Sequence, residues 1–441
     1  MTPGHDDVRM RGFAGRASLE DALGVLRART VPLPAVRAAL AGLPGAAALG
    51  ALLGRALAQD VTADRDLPPF RRAAMDGYAV RAAETSGAGE YNPIRLALRG
   101  TQLAGAARPA PLGAGEAVRI MTGAAMPDGA DAVAMAEYAR EEDARVALHE
   151  AVGPSQNVMP VGEDVRRGET VLRAGARLRP QDVALLAGLG VAEVAVRPAV
   201  RVAVLPTGNE LVAPGGALPP GEGAVVDTNS TMLCGLCAVH GATAVPFSIV
   251  RDTAEAVRAA LQAALDGGAD VVVVIGGTAV GVEDHVPAVV RALGELPVHG
   301  VALKPASPTG LGFVRRAAGD EVPVVLAPGS PVASMIAFDL FVGAAICLRE
   351  GRAPSLPYPR ARGTLARKIV SQPGRTDFVR VQHDAARGTV EPVMTGGASI
   401  LSSTTRANGL VVVPHDLEGF PAGAEVDVLL WRAETPLAVV G

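Results

Sequence analysis

Between Asp270 and His285 the chain reads DVVVVIGGTAVGVEDH: five β-branched residues, a glycine pair, then two acids. An unbroken apolar run from Val271 to Ile275 predicts a strand buried on both faces, and Gly276-Gly277 predicts a sharp turn able to approach a ligand. An ordinary strand and turn followed by solvated acids, Glu283 and Asp284, fits this local pattern equally well. The surrounding block, residues 198–350, repeats the texture: RVAVLPTG, ATAVPFSIV and VPVVLAPGSP read as strands. Thr231 to Val239, TAEAVRAALQAALDGG, VPAVVRALGEL and VASMIAFDLFVGAAI read as helices, with apolar residues three and four apart. Strands alternating with helices of this length predict right-handed βαβ units and a parallel sheet.

Elsewhere the periodicity changes. Residues 18–60 read as helices, SLEDALGVLRA with Ser18 as cap and then, after Pro32 and Pro34, the Ala/Leu-rich VRAALAGLPGAAALGALLGRALAQDV, a helical hairpin or a packed oligomer surface. From 67 to 160 short segments punctuated by Gly and Pro predict a β-rich unit. Residues 161–197 return to a mixed pattern ending in a helix after Pro180 with a stop at Gly190. Beyond the linker GRAPSLPYPRARG, residues 351–441 alternate as a small β-barrel or sandwich would.

Composition narrows the function classes. The 441 residues exceed one compact core, and about 150 residues per domain suggests roughly three domains. Aromatic residues make up only 3%, so the core must rest on Ala, Val and Leu. A formal net charge of −4 supplies no broad basic surface for nucleic acid or an anionic membrane. MTPGHDDVRMRGF lacks a signal-peptide core, and the reading finds no apolar run approaching the ~20 residues that span a bilayer, which predicts a cytoplasmic protein. Of three cysteines only Cys234 and Cys237 are close; with His240 they fall short of a zinc set and are expected as buried or free thiols.

Candidate chemistry gathers at strand ends, which in a parallel sheet share one edge. They bring Glu210 after Thr207-Gly208, Asp252, Gly276-Gly277 with Asp284, and Gly329-Ser330, with Lys304 nearby. Carboxylates suit a hard cation such as Mg²⁺, while glycine turns and a lysine suit phosphate. No GxGxxG and no P-loop accompany them. Asp76 before Gly77, Thr122-Gly123 and Asp164 in a polar turn fit turn chemistry as readily as a site.

Taken together, DLPPFRRAAMDGYAV, AVRIMTGAAMPDGADAVAM, GEDVRRGETVLRAGARL, RVAVLPTGNEL, DTNS, IVRDTAEAVRAAL, VIGGTAVGVEDH, ALKPASP, APGSPVAS and GRTDFVRV resemble the molybdopterin molybdenumtransferase family, to which the C-terminal domain of gephyrin belongs. The resemblance implies an α/β multidomain chain: an elongated domain from 18–66 and 161–197, an inserted β-rich domain at 67–160, a molybdopterin-binding α/β domain at 198–350 and a C-terminal β-barrel at 351–441. It implies a homodimer that takes adenylylated molybdopterin and molybdate and releases AMP with Mg²⁺ or another divalent ion. A molybdopterin adenylyltransferase and molybdoenzyme acceptors would be its partners. Asp76, Thr122, Asp164, Glu210 and Lys304 stand at catalytic positions, and Glu210, Asp252 and Asp284 at metal positions. Gly208, Asp252, Gly276, Gly277, Ser307, Gly329 and Ser330 stand at substrate positions.

Several residues depart from the family pattern. Ser307 replaces a lysine, Ser330 an asparagine and Ala279 a serine, Arg71-Arg72-Ala73 replaces DNS, and Met159-Pro160-Val161 stands where arginines are expected. Lost positive charge weakens anion binding, which leaves three readings: an active transferase with Arg71 or Arg72 supplying charge, a paralogue acting as molybdopterin carrier or scaffold, and an adenylylating or pyrophosphate-cleaving enzyme.

Overall fold

The computed structural model describes residues 15–40, 46–215, 223–278, 285–317, 319–394 and 397–431. It divides into two compact units, one comprising residues 1–36, 54–58 and 196–441 and the other 37–53 and 59–195.

The larger unit is built on a six-stranded sheet in the order Thr243–Pro246, Arg201–Pro206, Val271–Ile275, Glu321–Ala327, Gly310–Arg315, Gly294–His299. The first four run parallel, as the strand and helix alternation predicts. The last two form an antiparallel edge that the sequence reading did not foresee. Period-two alternation divides the side chains between two cores. Val202, Val204, Val271, Val273 and Ile275 face one, with Leu233 and the run from Ala333 to Ile346. Ala203, Leu205, Val272 and Val274 face the other, with Val257, Leu261 and Val289. Val271 to Ile275 are at most 2% exposed, and full burial of each such side chain contributes roughly 1.5–3 kcal/mol.

Leu19–Arg29 is the first helix, and Ser18 Oγ accepts from Asp21 N, the predicted cap. Its Ala22 and Leu26 are buried in the same core as Val202 and Val271. The helical run Pro331–Arg349 corrects one expectation, since by length and composition it could cross a membrane. It is instead buried inside the protein and carries polar groups held within the unit. A π-helical turn, Phe338–Val342, interrupts it and holds Asp339. Asp339 Oδ1 lies 2.9 Å from His240 Nε2, and the Tyr358 hydroxyl donates to the same carboxylate. Burial and this carboxylate push the Tyr358 phenol far above its ordinary range. Arg349 donates to the carbonyls of Asp270, Val31 and Glu321.

The cysteines are free thiols, as expected, and burial pushes Cys237 up to about 12.

The tail forms a barrel within the same unit. Thr376–Asp384, Thr389–Met394, Arg360–Leu365, Glu425–Leu430 and Gly409–Val413 pair in turn, and the last pairs back with the first, closing the ring.

The second unit contains a six-stranded sheet, in the order Ala132–Met135, Gly77–Val80, Glu116–Ile120, Ile94–Gln102, Arg145–Leu148, Ala139–Glu142. This agrees with the β-rich reading. A helix starts at Pro180 and ends at Gly188, two residues before the expected Gly190 stop. The helical reading of VRAA is corrected, because Val36–Ala39 is a strand paired with Glu193–Val196. Prolines at 32 and 34 disfavour helical backbone just upstream, and ladder partners such as Ala192 O, which accepts from Leu40 N, override alanine's helix propensity. A short helix does form at Ala46–Leu52.

Candidate functional site

The parallel strand order reverses between Arg201–Pro206 and Val271–Ile275, since the chain leaves the first toward one side of the sheet and returns to the second on the other. At such a switch the following loops part and leave a crevice beyond the carboxyl ends. A cavity of about 390 Å³ lies there, lined by Thr207, Glu210, Asp252, Gly276, Gly277 and Ser330 among others. Thr207 N donates to Ile275 O (2.8 Å) and Gly276 N to Ala327 O (3.0 Å), so the turns hang from the strand ends. Gly276 and Gly277 have φ of +87° and +59°, and a Cβ on Gly276 would lie 2.6 Å from Thr207 O. Only glycine meets both conditions without strain.

The acids enter from neighbouring loops. Asp252 N donates to Asn209 Oδ1 at 3.3 Å, and a Cβ on Gly277 would lie 3.7 Å from Asp252 Oδ1. Glu210 folds over Gly208, where a Cβ would meet Glu210 Oε2 at 2.8 Å. Two carboxylates on one cavity offer the hard oxygen donors that Mg²⁺ takes while keeping several waters. Among the described residues no group of three His, Cys, Asp or Glu stands ready to hold a metal. Asp284 and Ala279 lie outside the described residues.

Two lining residues, Asp227 and Asn229, escaped the sequence reading as site members. Asp227 is 5% exposed and accepts from Ser230 N, Asn229 Nδ2 donates to Gly329 O at 2.7 Å, and Asn229 Oδ1 is buried without a partner. Their signal was the polar DTNS run opening a helix, which capping alone explains.

Other named residues lie apart from this cavity. Lys304 lines a separate space of about 200 Å³ with Pro305, Asp377 and Arg380. Its Nζ is 3.7 Å from Asp377 Oδ2, and Arg375 Nε is 2.9 Å from Asp377 Oδ1. Ser307 does not line the glycine-turn cavity; its hydroxyl is buried without a partner, and its carbonyl accepts from Val301 N. Ser330 Oγ lies 3.4 Å from Ser399 Oγ.

Asp76, Thr122 and Asp164 belong to the second unit. Thr122 donates to Asp76 Oδ1 from its N–H (2.7 Å) and its hydroxyl (2.6 Å), so the two bond one another and hold the Asp76 carboxyl below its ordinary range. Asp164 sits in a different exposed turn, its N–H donating to Leu67 O. A depressed carboxyl contributes stability above its ordinary value and loses it as pH falls through the lowered one. Thr122→Val should therefore move the Asp76 titration upward, measured by side-chain carboxyl NMR; an unmoved titration would refute the Thr122 assignment. Arg71 donates to Ala130 O, while Arg72 Nε lies 3.2 Å from Met159 Sδ, opposite it in a two-stranded ladder.

A doubly wound sheet with glycine turns and carboxylates lining a crevice at its switch point defines the class as an α/β protein with its crevice beyond the carboxyl ends of the strands. Comparisons with known proteins narrow it. The family described as the MoeA N-terminal region (domain I and II) matches residues 17–190. The probable molybdopterin binding domain matches 203–346, and the MoeA C-terminal region (domain IV) matches 362–431. A Mycobacterium tuberculosis protein named molybdopterin molybdenumtransferase 2 is 34% identical over 85% of this chain and 92% of its own length. The Bacillus subtilis molybdopterin molybdenumtransferase is 33% identical over 87% and 88%. The crystal structure of the molybdopterin biosynthesis MoeA protein from Pyrococcus horikoshii superposes with a TM-score of 0.77, at 31% identity over 95% of this chain and all of that one. The chain belongs to the molybdopterin molybdenumtransferase family, enzymes of molybdenum cofactor biosynthesis.

Proposed function

We propose that the protein inserts molybdenum into adenylylated molybdopterin, taking molybdate and releasing AMP. The observation that carries this reading is the cavity that Glu210 and Asp252 line together with the glycine turns at 276–277 and 329. Turn N–H groups suit phosphate oxygens, and the acids suit the cation that an anhydride needs. Glu210 and Asp252, with Asp284, would hold Mg²⁺, which would neutralise charge on the anhydride oxygens. Lys304, beside Arg380 and the ion pair of Asp377 with Arg375, would serve the oxyanion. Asp76, Thr122 and Asp164 keep the roles implied by the resemblance, as does the four-domain division. A cytoplasmic homodimer supplied by an adenylyltransferase and delivering cofactor to molybdoenzymes completes the reading.

Purified protein given adenylylated molybdopterin, Mg²⁺ and molybdate should release AMP, detected by chromatography. Asp252→Asn should slow that release about 100-fold or more by weakening the hold on the cation; unchanged turnover would remove Asp252 from the mechanism. The serine at 307, in place of the expected lysine, favours a second reading as a molybdopterin carrier. Tight molybdopterin binding without AMP release would establish the carrier instead.

A further inference from the structure

Behind the glycine turn, on the side of the edge strand, stands a histidine with no role assigned so far. His299 ends the strand Gly294–His299, and its Nε2 is 3.0 Å from the carbonyl oxygen of Thr278. Its Nδ1 is 3.4 Å from Arg291 Nη2, in the last turn of the helix Val286–Leu293. A guanidinium only donates, so Nδ1 accepts and the ring proton sits on Nε2, where it is given to Thr278 O.

Thr278 is 3% exposed and follows two glycines with positive φ, a segment with little side chain to hold it in one conformation. At the near end the turn is fixed by Gly276 N donating to Ala327 O. At the far end it is fixed by His299. Between these anchors are the N–H groups of Gly277 and Thr278, which among the described residues donate to no acceptor, and both residues line the cavity.

We infer that His299 is a positioning residue for this site: by holding the Thr278 carbonyl it keeps the Gly277 and Thr278 N–H groups placed to receive a phosphate oxygen of an adenylyl group. Arg291 fixes the tautomer that makes this hold. The inference rests on the transferase reading for the identity of the phosphate. An unheld turn still reaches the same conformation but spends less time in it, so the loss falls on binding rather than on the rate of the bound complex.

The test compares His299→Ala with His299→Gln, whose side-chain amide N–H reaches where the imidazole Nε2 does. His299→Ala should raise KM for adenylylated molybdopterin about five- to tenfold, the scale of one lost hydrogen bond, with kcat within about twofold and KM for molybdate unchanged. His299→Gln should restore KM to within about twofold of the parent. A merely structural role would lower kcat and thermal midpoint together and would not be rescued by glutamine. Unchanged KM in His299→Ala, or a defect that glutamine does not repair, would overturn the inference. Calorimetric binding of AMP to the same proteins separates the two readings. A parent that releases no AMP sinks the transferase reading, while AMP affinity weakened about fivefold in His299→Ala and restored in His299→Gln still upholds the histidine's role.

Discussion

Gly276→Ala should reduce AMP release at least about 100-fold, because the added methyl displaces the turn by the order of an ångström at a site that works by placement. The Cβ would lie 2.6 Å from Thr207 O, and the residue has φ of +87°. Positive-φ strain and overpacking together should cost about 2–4 kcal/mol. Relief of the clash must move Thr207 or the turn, and Thr207 N is bonded to Ile275 O at the switch point itself. Gly329→Ala is the matched control, since its nearest neighbour to an added Cβ is 3.8 Å away. Urea unfolding should show a lowered midpoint for Gly276→Ala and an unchanged one for Gly329→Ala. Gly276→Ala turnover within about threefold of the parent would show that the turn tolerates displacement and is not a binding element.

Asp339→Ala should be the most destabilising change outside the cavity, by about 3–5 kcal/mol, the range for removing one partner of a buried ionic or hydrogen-bonded group. The carboxylate is 3% exposed, faces His240 at 2.9 Å, and takes the Tyr358 hydroxyl at 2.9 and 3.0 Å from its two oxygens. His240 packs edge-on against Phe338 and Tyr358, and a Cβ on Gly343 would lie 2.4 Å from its Cε1, so the ring cannot swing away to find water. Tyr358→Phe removes only one bond to the charged group and should cost about 1.5–3 kcal/mol. Denaturant titrations of the two variants check the order. A loss below about 1 kcal/mol for Asp339→Ala would mean that the network relaxes freely.

Much of the α/β element was legible because its signals are local. Val271 to Ile275 has no polar position, and burial on both faces is what produces that pattern. The antiparallel edge was hidden because Gly310–Arg315 and Gly294–His299 carry Gly, Glu and Pro, which dilute a strand's signature, and only the pairing of the first with Glu321–Ala327, and of the second with the first, makes them strands. Val36–Ala39 misled for the reverse reason, a helical composition recruited by a distant partner. At the site, the glycine turns and acids were readable because strand ends in a parallel sheet converge. Lys304 was expected beside them because it follows the same block, yet its ion pair with Asp377 takes it to a different cavity. Such a pairing spans 73 residues and leaves no local trace. Asn229 and Asp227 were passed over because a helix cap and a ligand contact use the same residue types.

The ring formed by the five tail strands has a consequence for what can attach to it. Each strand in it has hydrogen-bonding neighbours on both sides, through the return pairing of Gly409–Val413 with Thr376–Asp384. Pairing around the ring is nonetheless short at two seams, two residues each between Arg360–Leu365 and Thr389–Met394 and between Gly409–Val413 and Glu425–Leu430, and Leu303–Lys304 already lies as a further strand along Thr376–Asp377. A foreign peptide that added itself as one more strand would have to enter at such a seam, and elsewhere a molecule that recognises the barrel reads its side chains and loops.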